Sequence, residues 1–449
     1  CRVHGVSFAI VPGDGRPDPR LPPLATLDAD ELAALEDAIA AGGADCASAA
    51  IKALLARSGG RRITSEAFPR RRSPAFGTYR EVEGESGAPA IAVVFYRSFL
   101  LAADVRPIDA LLEALTEDCG TGERRGIGAA AYFLPSLKDP DAAAWLREEF
   151  ARRPPDVIVN TTAFSARGED RANPLDAADC PTIQAAMAGC SLDAWRSSSR
   201  GLSAADLAMH VVLPEFDGRL FGGAISFKAR DAGGGTFHEP YPEGVDHVAA
   251  LARRWAILRR KRGQDRRIAL VASTYPGRPD RIAHAVGLDG PASAMRIAAR
   301  LTEAGYRVGS LPRDASVLTA KLEDAYRAAA AAKTPQKPAT GVPWPLEKYE
   351  AAFASFPAAL RNAVIAAWGE AANDPSCDGC ALMLPVLRFE NFLIALQPER
   401  GSASSRKDSY HDPNLPPRHG YIAFYLWLRE EARVDALIHL GAHGTLEWL

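Results

Sequence analysis

The sequence contains no G-x-x-x-x-G-K-[ST] run, so a nucleotide-hydrolysing phosphate loop is not carried on this chain. It has no G-x-S-x-G elbow, and no G-x-G-x-x-G follows a strand-like run, which sets aside serine-hydrolase and dinucleotide-binding chemistry. No apolar run is long enough to span a bilayer and no signal-peptide pattern opens the chain. Cysteine is scarce: seven thiols, an odd and scattered number, fit a reduced cytoplasmic protein better than a disulfide framework. Cys377-Asp-Gly-Cys380 is the one close pair, half of a zinc or redox motif with no second half. Excess charge of either sign is missing too. A net charge of −2 gives no support for nucleic-acid binding, and Arg70-Arg-Arg72 and Arg259-Arg-Lys-Arg262 read as solvated faces.

What is present is a long chain of ordinary globular composition. At 449 residues it exceeds one ordinary core, and 47% apolar with 24% charged residues is typical of a globular protein. It starts at Cys1 and stops inside a motif, and is read as a fragment. Strand-like and helix-like segments alternate. Ala90–Tyr96, Gly126–Leu134, Asp156–Thr161, Arg267–Ser273, Phe392–Leu396 and Val434–Leu440 read as strands, as do Val6–Val11, Val211–Leu213, Tyr306–Leu311 and Ala381–Leu387. Helices are expected around 31–40, 46–57, 107–115, 141–150, 245–262, 291–304 and 419–431; Asp28 or Asp30 caps the first. The segment 328–345 is Ala/Lys/Pro-rich and reads as exposed. The expected class is α/β, multi-domain, with mostly parallel Rossmann-like or flavodoxin-like sheets flanked by helices. The expected domains are an N-terminal α/β segment and linker at 1–85, an α/β domain at 86–262, and a second α/β domain at 263–449 that carries the tail motif and is truncated at its C-terminal end.

Polar clusters gather at the strand ends, where α/β proteins place ligands. The densest is the tail, His439-Leu-Gly-Ala-His443-Gly-Thr-Leu-Glu447, which follows an aliphatic run. Imidazole and carboxylate together hold divalent metals or move protons near neutral pH. Read by spacing alone, these histidines fit a site and packed structural imidazoles equally. Asn160-Thr-Thr162 is a polar strand end. Pro214-Glu-Phe-Asp-Gly-Arg219 is either a cation-orienting pair of carboxylates or a turn closed by a local Asp–Arg pair. Further clusters are Tyr275-Pro-Gly-Arg278 with Arg281 and His284, Gln397-Pro-Glu-Arg-Gly401, Tyr410-His-Asp-Pro413 and Pro416-Pro-Arg-His-Gly420.

These stretches together resemble the large subunit of aerobic cobaltochelatase, the CobN family, related to the H subunit of magnesium chelatase. The resemblance is carried by Leu415-Pro-Pro-Arg-His-Gly-Tyr-Ile-Ala-Phe-Tyr-Leu-Trp-Leu428, by 439–449, and by Ala395-Leu-Gln-Pro-Glu-Arg-Gly401 and Ser409-Tyr-His-Asp-Pro413. Leu213-Pro-Glu-Phe-Asp-Gly-Arg219, Ala224-Ile-Ser-Phe-Lys228, Val286-Gly-Leu-Asp289, Phe95-Tyr-Arg97 and Pro12-Gly-Asp-Gly-Arg-Pro17 also fit. The family's Gly-Asn pair stands here as Glu390-Asn391.

The resemblance implies a subunit that binds a tetrapyrrole, hydrogenobyrinic acid a,c-diamide, and inserts Co²⁺. ATP with Mg²⁺ would be handled by separate AAA+ partner subunits, consistent with the missing phosphate loop, in the cytoplasm and with neither nucleic acid nor a membrane span. Insertion requires a weak N/O metal site and a proton acceptor for the ring nitrogens. His439, His443 and Glu447 are the expected catalytic and metal-binding residues, with His411 as a further ligand and Asp412 and His419 as secondary candidates. Arg418, His419, Tyr421, Gln397, Arg278, Arg281 and Asn160 are expected at the substrate, the arginines as forked partners of its carboxylates. Tyr421, Phe424, Tyr425 and Trp427 either stack on the macrocycle or form helix core. The rival expectations are a magnesium chelatase of the same family acting on protoporphyrin IX, a non-catalytic tetrapyrrole-binding paralogue, and a metal-dependent hydrolase using His439 and His443.

Overall fold

The computed structural model of the chain describes residues 8–11, 19–68, 74–117, 126–168, 172–275, 278–282, 287–330, 332, 340–401, 412 and 414–441. The chain divides into two compact units, Cys1–Arg260 and Lys261–Leu449.

The first unit opens on two helices, Ala29–Ala41 and Ala44–Ser58. Asp28 caps the first in a reciprocal box with Glu31, so two amide donors at the helix start are satisfied. Glu31 is fully buried because it also takes Arg57 and the Ile63 amide. Residues 8–11 form no strand; Phe8 instead bonds Thr26 through its backbone.

A seven-stranded sheet follows: β1 (Gly77–Val82), β2 (Ala90–Tyr96), β3 (Gly128–Leu134), β4 (Val157–Asn160), β5 (Thr182–Met187), β6 (Leu220–Arg230) and β7 (Thr236–Pro240), in the spatial order β1-β3-β2-β4-β5-β6-β7. Strands β2 to β6 run parallel, and β1 and β7 are antiparallel edges. Numbered in chain order, the five parallel strands lie 2-1-3-4-5, the flavodoxin-like arrangement, with its switch point between β2 and β4. The five central residues of β2 are all buried, which is why Ala90–Tyr96 reads as a continuous apolar run: both faces are covered. Ile91, Val93 and Phe95 pack under the helices Arg106–Thr116 and Pro242–Arg260, and Ala92 and Val94 under Pro140–Arg152. Gly244 lets the second of these press onto β6, since a Cβ there would lie 1.9 Å from the Ala224 carbonyl oxygen.

The expected strand at Val211–Leu213 is absent. Residues 204–215 are helical, with a π-turn at Ala208–Val212, and β5 fills the sheet position beside β4. Three apolar residues alone do not separate strand from helix.

The second unit centres on β8 (Ile268–Ala272), buried at every position. Two short strands, β9 (Thr274–Tyr275) and β10 (Arg278–Ile282), pair with each other, as do β11 (Val342–Pro345) and β12 (Ala381–Leu384). The main sheet takes the order β13 (Val386–Phe389), β14 (Phe392–Leu396), β8, β15 (Ala436–Leu440), with β14 and β15 parallel to β8. One face packs on Gly290–Glu303 and Ala315–Ala330, the other on Leu346–Ala354, Ala358–Trp368 and His419–Glu430.

Three expectations need correction here. Tyr306–Leu311 is not a strand: both edges of β8 are taken, and Gly305 and Gly309 sit at φ 83° and 76°. Ala381–Leu387 is two strands in two sheets, parted at Pro385, whose missing N–H interrupts a ladder. The segment 328–345 is not uniformly exposed, since Ala328 and Ala329 end a helix and are buried. The β13–β14 turn is Glu390-Asn391, and Glu390 stands at φ 51°, a conformation that glycine adopts without cost.

Candidate functional site

Strands β14, β8 and β15 end together. The Gln397 amide donates to Ala272 O at 3.0 Å, and the Ser273 amide to Leu440 O at 2.9 Å. In chain order the three parallel strands lie 2-1-3, which puts the topological switch point of the second unit between β8 and β15. Gln397, 3% exposed, donates through Nε2 to the hydroxyl of Tyr425 at 2.6 Å and of Tyr421 at 3.3 Å. The Tyr425 ring in turn faces the His439 imidazole, with centroids 6.5 Å apart and planes 20° apart. Strand alternation explains the meeting. His439 pairs with Val271, which packs in the core beneath the helix His419–Glu430, whereas Ile438 and Leu440 pack on the opposite face. The imidazole of His439 is exposed. Burial raises the Tyr425 hydroxyl well above the ordinary phenol range, with Tyr421 adding to the effect, so it keeps its proton at neutral pH.

The start of that helix is fixed from a distant segment. Arg418 forms a forked pair with Asp374, Nη2 to Oδ1 at 2.9 Å and Nε to Oδ2 at 3.3 Å. Asp374 also accepts the Ser376 hydroxyl at 2.6 Å, the Ser376 amide at 2.8 Å and the Gly420 amide at 3.1 Å. Burial alone would raise the Asp374 carboxyl, but Arg418 and Ser376 outweigh it and hold the group below its usual range. His419, 1% exposed, sits between the Tyr349 hydroxyl at 2.6 Å on Nδ1 and the Gly369 carbonyl at 3.0 Å on Nε2. Since a carbonyl only accepts, Nε2 is the donor, and a neutral ring accepts from Tyr349 at Nδ1.

Arg278 and Arg281 lie on the backbone of β10, after the carboxyl end of β8. His411, His443 and Glu447 fall outside the described residues. Among the described residues no three His, Cys, Asp or Glu side chains are grouped closely enough to hold a metal ion. Cys377 is buried and Cys380 exposed.

Asn160 ends β4 in the first unit, inside a buried polar network. Its Nδ2 donates to Gln184 Oε1 at 2.8 Å and to Thr162 O at 3.0 Å, and its Oδ1 accepts the Thr162 hydroxyl at 2.9 Å. Arg219 reaches Gln184 Oε1 at 3.1 Å through Nη1 and Asp217 Oδ2 at 2.6 Å through Nη2. Asp217 also accepts Ser165 Oγ at 2.6 Å and the Ala166 amide at 2.7 Å, which pins the loop after β4. Burial pushes the Asp217 carboxyl up, yet those donors and Arg219 pull it below its ordinary value. The stretch Pro214–Arg219 is thus a turn closed by a local Asp–Arg pair. Sequence reasoning missed Gln184 and Asp374. The first was signalled by a lone amide within the apolar run Thr182–Met187, the second by Asp374-Pro-Ser376, a turn-forming run.

The family model described as CobN/Magnesium Chelatase matches residues 57–449. The chain is 34% identical to the aerobic cobaltochelatase subunit CobN of Sinorhizobium sp. and 36% identical to that of Pseudomonas aeruginosa, over 100% and 99% of this chain and 36% of each relative. It is 26% identical to the H subunit of magnesium chelatase from Rhodobacter capsulatus, over 80% of this chain and 30% of that protein. The solved catalytic subunit of cobaltochelatase from Mycobacterium tuberculosis matches with a TM-score of 0.77 at 29% identity, covering 100% of this chain and 38% of that one. The chain therefore spans about a third of the length of the curated relatives it matches.

Proposed function

Because this chain belongs to the CobN/magnesium chelatase family, we propose that it is part of the tetrapyrrole-binding catalytic subunit of an ATP-dependent cobaltochelatase. The subunit inserts Co²⁺ into hydrogenobyrinic acid a,c-diamide, while AAA+ partner subunits bind and hydrolyse ATP with Mg²⁺ and the complex works in the cytoplasm. The observation that carries the choice of metal is identity: 34% and 36% over essentially the whole chain to proteins named for cobalt, against 26% over 80% of it to one named for magnesium. No helix among the described residues is long and apolar enough to cross a membrane.

Insertion has two barriers: the cation must shed water, and the ring nitrogens must lose protons. In this reading His439, at the carboxyl end of β15, works with His443 and Glu447. The imidazoles, with His411, hold the incoming cation weakly enough to release it, and Glu447 accepts the ring protons. Gln397, Tyr421, Arg418, His419, Arg278 and Arg281 line or support the substrate side of the second unit, whereas the side-chain bonds of Asn160 stay within its own buried network in the first. Arg418 serves by holding the helix start through Asp374, and His419 by filling the core beside Tyr349.

The test is Glu447→Gln in the full-length subunit, assayed for cobalt insertion with partner ATPases and ATP. The expected result is a loss of roughly 100-fold or more in kcat with substrate binding retained. Unchanged turnover removes Glu447 from the mechanism. A wild-type complex that binds protoporphyrin IX and inserts Mg²⁺, but leaves the corrinoid untouched, replaces the cobalt reading with the magnesium one. Binding of tetrapyrrole without any insertion points to a non-catalytic paralogue.

A further inference from the structure

We propose that Tyr425 is a positioning residue for His439: its ring is the surface against which the imidazole is set, and Gln397 holds that ring still. The inference rests on the reading of His439 as a metal ligand or proton acceptor.

The helix His419–Glu430 presents four large aromatic side chains, and they do not play one role. Tyr421 and Trp427 are each 1% exposed and Phe424 is 0% exposed, which places all three in the core. Tyr425 alone is half-buried, and its face meets His439 at 6.5 Å and 20°, within the ~4.5–7 Å range of offset ring stacking. The ring cannot drift. Its hydroxyl takes the 2.6 Å bond from Gln397 Nε2, and Tyr421 and Phe424 flank it with centroids at 5.1 and 5.0 Å. Gln397 is tied to β8 by its own backbone amide. The ends of β14, β8 and β15 are thus joined through one chain of contacts: Ala272, Gln397, Tyr425, His439.

The contact gives the His439 ring a support on one face. His439 lies on β15, which in the described sheet has β8 as its neighbour on one side only, and its imidazole is exposed. A strand fixes the Cα–Cβ direction but leaves the two side-chain torsions to the surroundings. A ligand or base must be aimed at its target, and misplacement by about 1 Å can cost ~100-fold in rate.

The experiment compares Tyr425→Phe and Tyr425→Leu in the full-length subunit with partner ATPases, ATP and Co²⁺. Tyr425→Leu is expected to lower kcat about 10- to 100-fold, the usual cost of losing an orienting partner, with KM for the corrinoid unchanged. Tyr425→Phe keeps the stack and is expected to restore most of that loss. Wild-type kcat in Tyr425→Leu, or equal losses in both variants, overturns the proposal. A second arm needs no turnover: the subunit is labelled with ¹³C-histidine, and the His439 ring signal is assigned by its disappearance in His439→Ala. That signal is expected upfield in wild type and in Tyr425→Phe and at its ordinary position in Tyr425→Leu, while the other histidines stay unmoved as the check on folding. An unshifted wild-type signal overturns the stack. If the wild-type complex inserts no cobalt, the functional reading fails by itself and the ring-current arm still decides the geometry.

Discussion

At the carboxyl end of the seven-stranded sheet, Asn160 and Arg219 both donate to Gln184, and all three are at most 3% exposed. At the carboxyl end of the four-stranded sheet, Gln397 is equally buried, but its bonds lead outward through half-buried Tyr425 to exposed His439. Both ends occupy the topological position where α/β sheets bind ligands, and both carry a buried amide. The difference lies in where the hydrogen bonds go. In the first unit the side-chain bonds of Asn160 to Gln184 and Thr162 stay within the network, so its donors and acceptors hold the fold. In the second, the chain of contacts reaches His439, an exposed imidazole of the kind able to meet a cation or a proton. Polar residues at a strand end are therefore not a site in themselves; in the proposed site one of them faces out.

If the first network is structural, breaking it must cost stability. Asp217→Ala leaves the Arg219 guanidinium buried without its carboxylate and unties Ser165 and Ala166. Loss of one partner from a buried pair costs about 3–5 kcal/mol. Chemical denaturation should show this loss in the transition of the first unit. A cost under about 1 kcal/mol would mean the network tolerates opening, and the contrast with the second unit would disappear.

The second unit has a buried pair as well, and it predicts a pH dependence. Asp374 is held below its unfolded value, so its contribution to stability is complete above the unfolded carboxyl pKa of about 4 and is lost as pH falls through the lower folded value. Acid titration of stability should therefore show a fall below about pH 4 that Asp374→Asn reduces, because the variant has no proton to take up there. An identical acid limb in the two proteins would detach Asp374 from the stability of the helix start.

Much of this was legible from residue order. The run Ala90–Tyr96 announced a strand covered on both faces, and the pair Asp28 and Asp30 announced a helix start, of which the structure uses Asp28. The parallel α/β class followed from the alternation of segments. What stayed hidden depended on partners far along the chain. Arg418 looked like a free cation because Asp374 stands 44 residues away. Gln184 was concealed inside an apolar run, and its role exists only because β5 lies between β4 and β6. Val211–Leu213 was read as a strand because β propensity is local, whereas the place in the sheet was already filled. His439 was singled out by the spacing of the tail, but that spacing carried no sign of the tyrosine beneath it.

The smallest effect on stability should come from the outward-leading amide itself. Gln397→Leu removes the donor to Tyr425 and Tyr421 and keeps similar bulk. No charge is stranded, and both hydroxyls lose a neutral donor. The net cost of such a loss is about 1 kcal/mol, well below that of Asp217→Ala. Function should respond modestly as well, because the Tyr425 ring keeps its flanking contacts with Tyr421 and Phe424. Gln397→Leu, which like Tyr425→Phe keeps the ring and removes only its hydroxyl bond, should lower cobalt insertion by less than Tyr425→Leu, to about the level of Tyr425→Phe, while its unfolding transition moves little. If instead Gln397→Leu unfolds the second unit as severely as Asp217→Ala unfolds the first, the amide is a core bond like those around Asn160, and the two sheet ends are alike after all.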